Sequence, residues 1–237
     1  MRLPVLSRPT TLVEDVCALI TRESQKITGE GGWLPPERRL SERLGVSRQI
    51  VREATKRLEL QGLLEVKHGV GTRIVQRLHA PLKRSFELVV PDQDDRFAKL
   101  TEMRVIVEPP LAALAAERAT KADLQALREA QARLLAATEQ EEAVLADMDF
   151  HRALARAAGN PIAELMLESL AELGKASRMQ TIGAVGSSPA HAHHSVILEA
   201  IEKRRPEAAA RAMTKHLRAI DLHLPKNPAR TKKPAFA

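Results

Sequence analysis

Aromatic residues are scarce: 2% of 237 residues, with one Trp and no Tyr. That excludes a single-strand nucleic-acid binder built on stacked aromatic side chains. The lone cysteine, Cys17, excludes an intramolecular disulfide. It sits among Val13, Val16, Leu19 and Ile20, the setting of a buried structural thiol. No run of eighteen apolar residues exists, so no helical membrane span is expected. The first residues, MRLPVLSRPTT, lack the apolar core of a signal peptide, and a cytoplasmic location is expected. An acidic excess is also missing, since the net charge is +7. Residues 1–80 hold fourteen Lys/Arg against nine Asp/Glu, residues 81–224 nineteen against twenty-one, and 225–237 four against none. The basic excess therefore sits on the N-terminal region and the tail, where a phosphate-binding protein needs it.

At 44% apolar, the chain has material for real cores. The stretch LPPERRLSERLGVSRQIVREATKRLEL, residues 34–60, is the most informative. Leu40 and Leu44 are an apolar pair at spacing four. Gly45 suits a turn with φ > 0. Ser47 is a natural N-cap. After it, Ile50, Val51, Ala54, Leu58 and Gln61 fall near one face, and Arg48, Arg52, Lys56 and Arg57 on the other. A short helix, a Gly turn and an Arg-bearing second helix form a helix-turn-helix pattern. Such a helix enters a major groove, where Arg matches guanine bidentately. A solvated basic face is the bland alternative. Against it stand the next thirteen residues. Leu63–Lys67 and Thr72–Val75 are β-prone, with His68-Gly69-Val70-Gly71 as a hairpin turn between them. That is a winged helix-turn-helix.

Further along, the linker stretch 77–93 carries Pro81 and Pro91, and Asp92, Asp94 and Asp95 suit the cap of the next helix. From Asp95 the pattern is helical. A unit over 96–118 is expected to break or kink at Pro109-Pro110. Helices follow over 121–139, 142–158, 162–181, 190–204 and 206–224, with a Gly/Ser loop at 183–189. The predicted fold is mostly α: an N-terminal winged helix-turn-helix with a small β wing, then an all-α antiparallel bundle of six or seven helices. The predicted domains are residues 1–76, the linker 77–93, the helical domain 94–224 and a disordered basic tail 225–237.

Within the bundle, Asp147 and His151 at i, i+4 share one helix face, the spacing of two ligands on one metal. His194 and His216 each fall on a buried stripe of their own helix. One Asp and three His facing a core could hold a divalent ion. Satisfied core histidines and a simple Asp–His hydrogen bond are the competing readings. His191 shares a face with His194, so spacing leaves that choice open.

Two resemblances sharpen these readings. LPPERRLSERLGVSRQIVREA with its GLL…HGVGT wing resembles the DNA-binding domain of GntR-family transcription regulators over roughly residues 11–75. It implies that Arg38, Arg48, Arg52, His68 and Gly69 contact DNA and that Ser47 caps the recognition helix and meets phosphate. Glu102, Arg104 and Glu108, then Asp147 to His151 with AAGNP, then His194 with ILEAI, then His216, resemble the effector domain of the FadR-type branch over roughly residues 97–222. That implies a metal held by Asp147, His151, His194 and His216, with zinc first and nickel or manganese as alternatives. It also implies an effector cavity lined by Arg104, to which Arg178 is a further candidate. Arg104 has a rival role as a salt bridge to Glu108, and Arg178 as a solvated surface charge.

The reading is a homodimeric, ligand-responsive transcription regulator, a repressor by family habit, and not an enzyme. Its partners are a palindromic double-stranded operator and a small carboxylate such as a sugar acid or hydroxy acid. Dimerisation is expected because one recognition helix offers few base contacts. The alternatives are a metal-dependent enzyme, against which no general base or nucleophile motif stands out, and an architectural DNA binder without effector.

Overall fold

A computed structural model describes residues 11–24, 26, 32–67, 69–75 and 77–221, with the backbone alone at 93, 94, 220 and 221. Residues 1–10 and the expected basic tail lie outside the described residues. Two compact units divide the chain at Pro81/Leu82.

The first unit comprises α1 (Leu12–Ser24), α2 (Glu37–Leu44), α3 (Arg48–Leu60), β1 (Leu64–Lys67) and β2 (Gly71–Ile74). Gly45 ends α2 with φ 65°, the left-handed turn that a Cβ would strain. Ser47 Oγ then accepts from the Ile50 N–H at 3.3 Å and starts α3. Val51, Ala54 and Leu58 are fully buried, and Ala54 and Leu58 share a core with Val13, Val16 and Ile20 of α1 and with Leu63, Leu64 and Ile74. Truncating a side chain such as Leu58 to Ala would cost about 2–5 kcal/mol. Burying that stripe leaves Arg48, Arg52 and Lys56 in solvent. β1 and β2 pair antiparallel from Leu64↔Ile74 to Lys67↔Gly71. The segment before α2 adds to the wing: Ile74 N donates to Gly32 O and Leu34 N to Thr72 O, both at 2.8 Å, with Trp33 bridging Arg73. Periodicity does not reveal this pairing, because it joins residues forty apart.

Helix α4 (His79–Val89) spans the division, and the rest of the second unit is helical: α5 (Gln93–Arg118), α6 (Lys121–Ala136), α7 (Gln140–Ala157), α8 (Pro161–Leu173), α9 (Lys175–Val185), α10 (Ser188–Glu202) and α11 (Pro206–Asp221). Much of the stretch expected as linker is thus helix α4, and Phe86 within it packs against the helical core. Asp92 caps α5 by accepting from Asp95 N at 2.8 Å. Of the expected break or kink, the break does not occur: α5 is one helix through Pro109-Pro110. The prolines remove two amide donors, yet the surrounding residues Glu108, Pro109, Leu111 and Ala112 are buried, and α5 packs along α11 and α7. Packing outweighs the lost bonds. The helix expected over 162–181 is instead two, parted at Gly174, where a Cβ would stand 2.7 Å from Arg178 Nη1. Helix α9 runs on through Gly183, so the expected Gly/Ser loop shrinks to Gly186-Ser187. Residues 93–221 thus hold seven bundle helices. Leu127, Phe150, Leu154, Ile197, Ile201, Met213 and Leu217 form the centre. Among the described residues, no helix is long and apolar enough to cross a membrane.

Candidate metal centre and nucleic-acid face

Helix α7 presents Asp147 and His151 one turn apart, α10 presents His194, and α11 presents His216. All four are at most 3% exposed. One ligand atom from each lies within 4.8 Å of the others. His216 Nε2 stands 3.3 Å from His151 Nε2 and 3.4 Å from His194 Nε2. Asp147 Oδ1 is 3.4 Å from His194 Nε2, and its Oδ2 is 3.9 Å from His151 Nε2. The Phe150 ring stacks on His194 with centroids 4.0 Å apart and planes 8° from parallel, which fixes that imidazole.

Burial pushes His194 down to about 3 and His216 well below its ordinary value, so both rings are neutral near pH 7 and carry a lone pair. Burial alone would raise Asp147, but His151 and Arg178 reverse that and hold the carboxyl well below the usual range. Nitrogens bound about 2.0–2.1 Å from one tetrahedral centre stand about 3.3–3.4 Å apart. The two measured Nε2 separations have that size, and imidazole with carboxylate suits a borderline divalent ion. These residues could therefore hold zinc, nickel or manganese. His191 is not in the cluster. Its carbonyl accepts from Gln131 Nε2 at 2.8 Å and Ser195 Oγ at 3.0 Å.

Both candidate arginines are 5% exposed, which removes the reading of Arg178 as a solvated surface charge. Arg104 Nε donates to Glu108 Oε1 at 2.5 Å, and its Nη2 lies 3.0 Å from His151 Nε2. Arg104 and a metal ion thus compete for one lone pair. Arg178 Nε donates to Asp147 Oδ2 at 2.7 Å, while its Nη1 has no hydrogen-bond partner among the described residues. A cavity opens onto Asp147, Arg178 and His216 and continues past Thr181, Ile182, Val185, Pro189, Ala190 and His193. Arg104 does not line it. Glu102, the first residue of the same motif, is exposed and pairs with Lys99 at 3.1 Å.

Two contributors, Phe150 and His193, are not apparent from the sequence, and Glu108 does more than the salt bridge to Arg104 expected of it. Glu108 Oε2 lies 2.7 Å from His151 Nδ1, close although not linear. Its place one turn after Arg104, on the same helix face, is the available signal. Phe150, adjacent to His151, and His193, adjacent to His194, carry none.

On the winged unit, Arg38, Arg48 and Arg52 are exposed, Ser47 is at the start of α3, and Gly69 is in the wing turn with φ 76°. Arg38 lies 3.6 Å from Glu42, and Arg52 Nη2 bonds Glu37 Oε2 at 2.9 Å. His68 lies outside the described residues.

A winged helix-turn-helix followed in the chain by a helical unit with an internal cavity defines a two-part bacterial transcription regulator. Residues 16–74 match the bacterial regulatory proteins of the gntR family, and residues 99–219 match the FCD domain. The chain belongs to the GntR family, in its FCD-containing, FadR-type branch. It is 35% identical to the Uxu operon regulator of Haemophilus influenzae over 210 residues, covering 85% of this chain and 77% of that protein. It is 30% identical to the HTH-type transcriptional repressor NanR of Citrobacter rodentium, covering 83% and 78%. A solved Streptococcus agalactiae GntR structure superposes with a TM-score of 0.70 at 27% identity, covering 88% of this chain and 98% of that one. This family regulates transcription through DNA; the chain is not an enzyme.

Proposed function

We propose that this regulator is a homodimeric repressor whose helical unit binds one divalent metal and a small carboxylate effector. The observation that carries the reading is the buried convergence of Asp147, His151, His194 and His216. The charges around it support an anionic ligand. Arg104 and Arg178 balance Glu108 and Asp147, and the His194 and His216 rings are neutral. A divalent ion would leave about two uncompensated positive charges in a buried site, a costly state that a carboxylate relieves. When bound, the metal would supply a Lewis acid, and coordination expanded beyond the four side chains would admit an oxygen ligand. Arg178, which lines the cavity and whose Nε donates to Asp147, is placed to orient that ligand.

At the other end of the chain, Arg38, Arg48 and Arg52 read or position the operator, with Ser47, His68 and Gly69 meeting its backbone or minor groove. Two copies on a palindrome supply the base contacts that one short helix lacks. The test is metal analysis of protein purified without chelator, with a DNA-shift assay on a fragment the protein itself selects from random sequence. About one ion per chain and acid-dependent release of DNA are expected. Metal-free protein whose melting is unmoved by divalent ions sinks the metal reading.

A further inference from the structure

Trp33 is the single tryptophan of the chain, and it is 51% exposed. One exposed apolar side chain is ordinary, but several on one surface mark a contact. Its backbone is pinned beside β2: Trp33 bridges Arg73, and Leu34 N donates to Thr72 O at 2.8 Å. The indole lies over the wing, where a Cβ at Gly71 would stand 3.3 Å from the ring. Val66 and Val70 are 36% and 68% exposed, and both line the same groove as Trp33, between the wing and the start of α2. Glu37 and Gly69 are also on its walls, and they tie it to the face that meets DNA. Glu37 holds the Arg52 guanidinium at 2.9 Å. Gly69 is a wing position that the family resemblance assigns to DNA. Lys67, on the same wall, supplies positive charge.

We propose that this groove seats the sugar–phosphate backbone of the bound duplex, with the Trp33 indole packed against a deoxyribose. The inference rests on the reading that Arg52 and Gly69 face the operator, and it adds a contact residue to that reading. A duplex backbone alternates anionic phosphates with sugars whose C–H faces are apolar. The groove offers the same two chemistries: Lys67 for a phosphate, and Trp33, Val66 and Val70 for a sugar. An indole presents a large, rigid apolar surface with few rotamers to freeze, so ordering it costs little. Every nucleotide carries the same sugar. The contact therefore sets position and register on the duplex without reading its sequence. A second copy of the chain suits the groove less well, because it would bring one basic wing against another.

Because Trp33 is the single tryptophan, its fluorescence reports on the groove directly in the full-length protein. Quenching by acrylamide, a neutral probe, should fall and the emission should move to the blue when the selected operator fragment is bound. A random duplex bound at low salt should do the same. In a DNA-shift assay Trp33→Ala should weaken both duplexes by a similar factor, roughly tenfold, and Trp33→Phe should recover most of the loss. The dependence of affinity on salt should keep its wild-type slope, since no phosphate contact is removed. A flattened slope would mean that the substitution misplaces the wing, and Trp33 would then be structural, which overturns the inference. Unchanged quenching in the DNA complex, or an unchanged affinity for Trp33→Ala, overturns it as well. Quenching that falls on concentrating the protein without DNA gives the groove to a second copy, with the same result. Arg52→Ala separates the inference from the reading beneath it. If that variant loses the operator while Trp33 stays exposed in the wild-type complex, the inference alone fails; if neither residue responds to DNA, both fail.

Discussion

Glu108 on α5 holds its carboxylate Oε2 2.7 Å from Nδ1 of His151 on α7, with both side chains almost wholly buried. Two bare lone pairs would repel at that distance, so a proton lies between them. That leaves the other ring nitrogen, Nε2, facing His216. Burial would raise Glu108, but Arg104 and His151 reverse it and keep the carboxyl ionised well below the usual range. One carboxylate thus sets the tautomer of His151 and anchors Arg104.

Glu108→Gln tests this directly. The amide keeps the shape but loses the charge that holds the Nδ1 proton. Metal affinity should fall roughly 10–100-fold, the range for loss of a carboxylate behind a ligating imidazole. Competition against a chromophoric chelator measures it, with circular dichroism to check the fold. Unchanged affinity would reduce Glu108 to a partner of Arg104.

Acid should destabilise the metal-free protein well above the carboxylate range. His194 is held near 3 and His216 well below its ordinary value, whereas unfolded His titrates near about 6.5. Between those values the unfolded chain binds more protons than the folded one, so stability rises with pH. It is complete above about 6.5 and declines as pH falls toward 3, by up to roughly 1.4 kcal/mol per pH unit for each ring. Asp147 and Glu108 are depressed from ordinary values of 3.8 and 4.5, so their contribution is lost only at the acid edge of that window, below the pH 7.5–5 range. Urea midpoints in chelator should fall between pH 7.5 and 5; a flat series contradicts the buried, neutral histidines.

Local chemistry made much of this legible. The stripe of Val51, Ala54 and Leu58, the Gly45 turn and the Ser47 cap are consequences of period and backbone preference. Asp147 and His151 share a face by spacing, and His194 and His216 take theirs from their apolar neighbours. What the pattern hid depends on other segments. Arg178 reads as a surface charge until α7 brings Asp147 against it. Pro109-Pro110 reads as a break until packing on α11 and α7 is considered. Gly174 parts α8 from α9, and the Trp33 segment joins the wing, through contacts no local window contains.

Arg204 bears on how the bundle holds together. It is a non-glycine residue with φ 53°, and its guanidinium donates to Ala116 O at 3.2 Å and Ala119 O at 2.5 Å, at the C-terminus of α5. Carbonyls there lack helical partners and favour a cation. Arg204→Ala should cost roughly 1–3 kcal/mol in urea unfolding, with metal content unchanged. A loss of metal would mean that the α5 terminus governs the site as well as stability.

Arg52 carries the prediction for DNA. It projects from the exposed face of α3, one turn past Arg48, and Glu37 of α2 steadies its guanidinium at 2.9 Å. That pair is exposed, so its worth to stability is small; its effect is on where the fork points. If the fork reads a base, Arg52→Ala should cost roughly 1–3 kcal/mol on a selected operator and little on random DNA. The melting temperature should stay close to wild type. Glu37→Gln should produce a smaller loss in the same direction, because the fork remains but is no longer held. Equal losses on operator and random DNA would assign Arg52 to a phosphate, and base readout would then fall to Arg48 and Arg38.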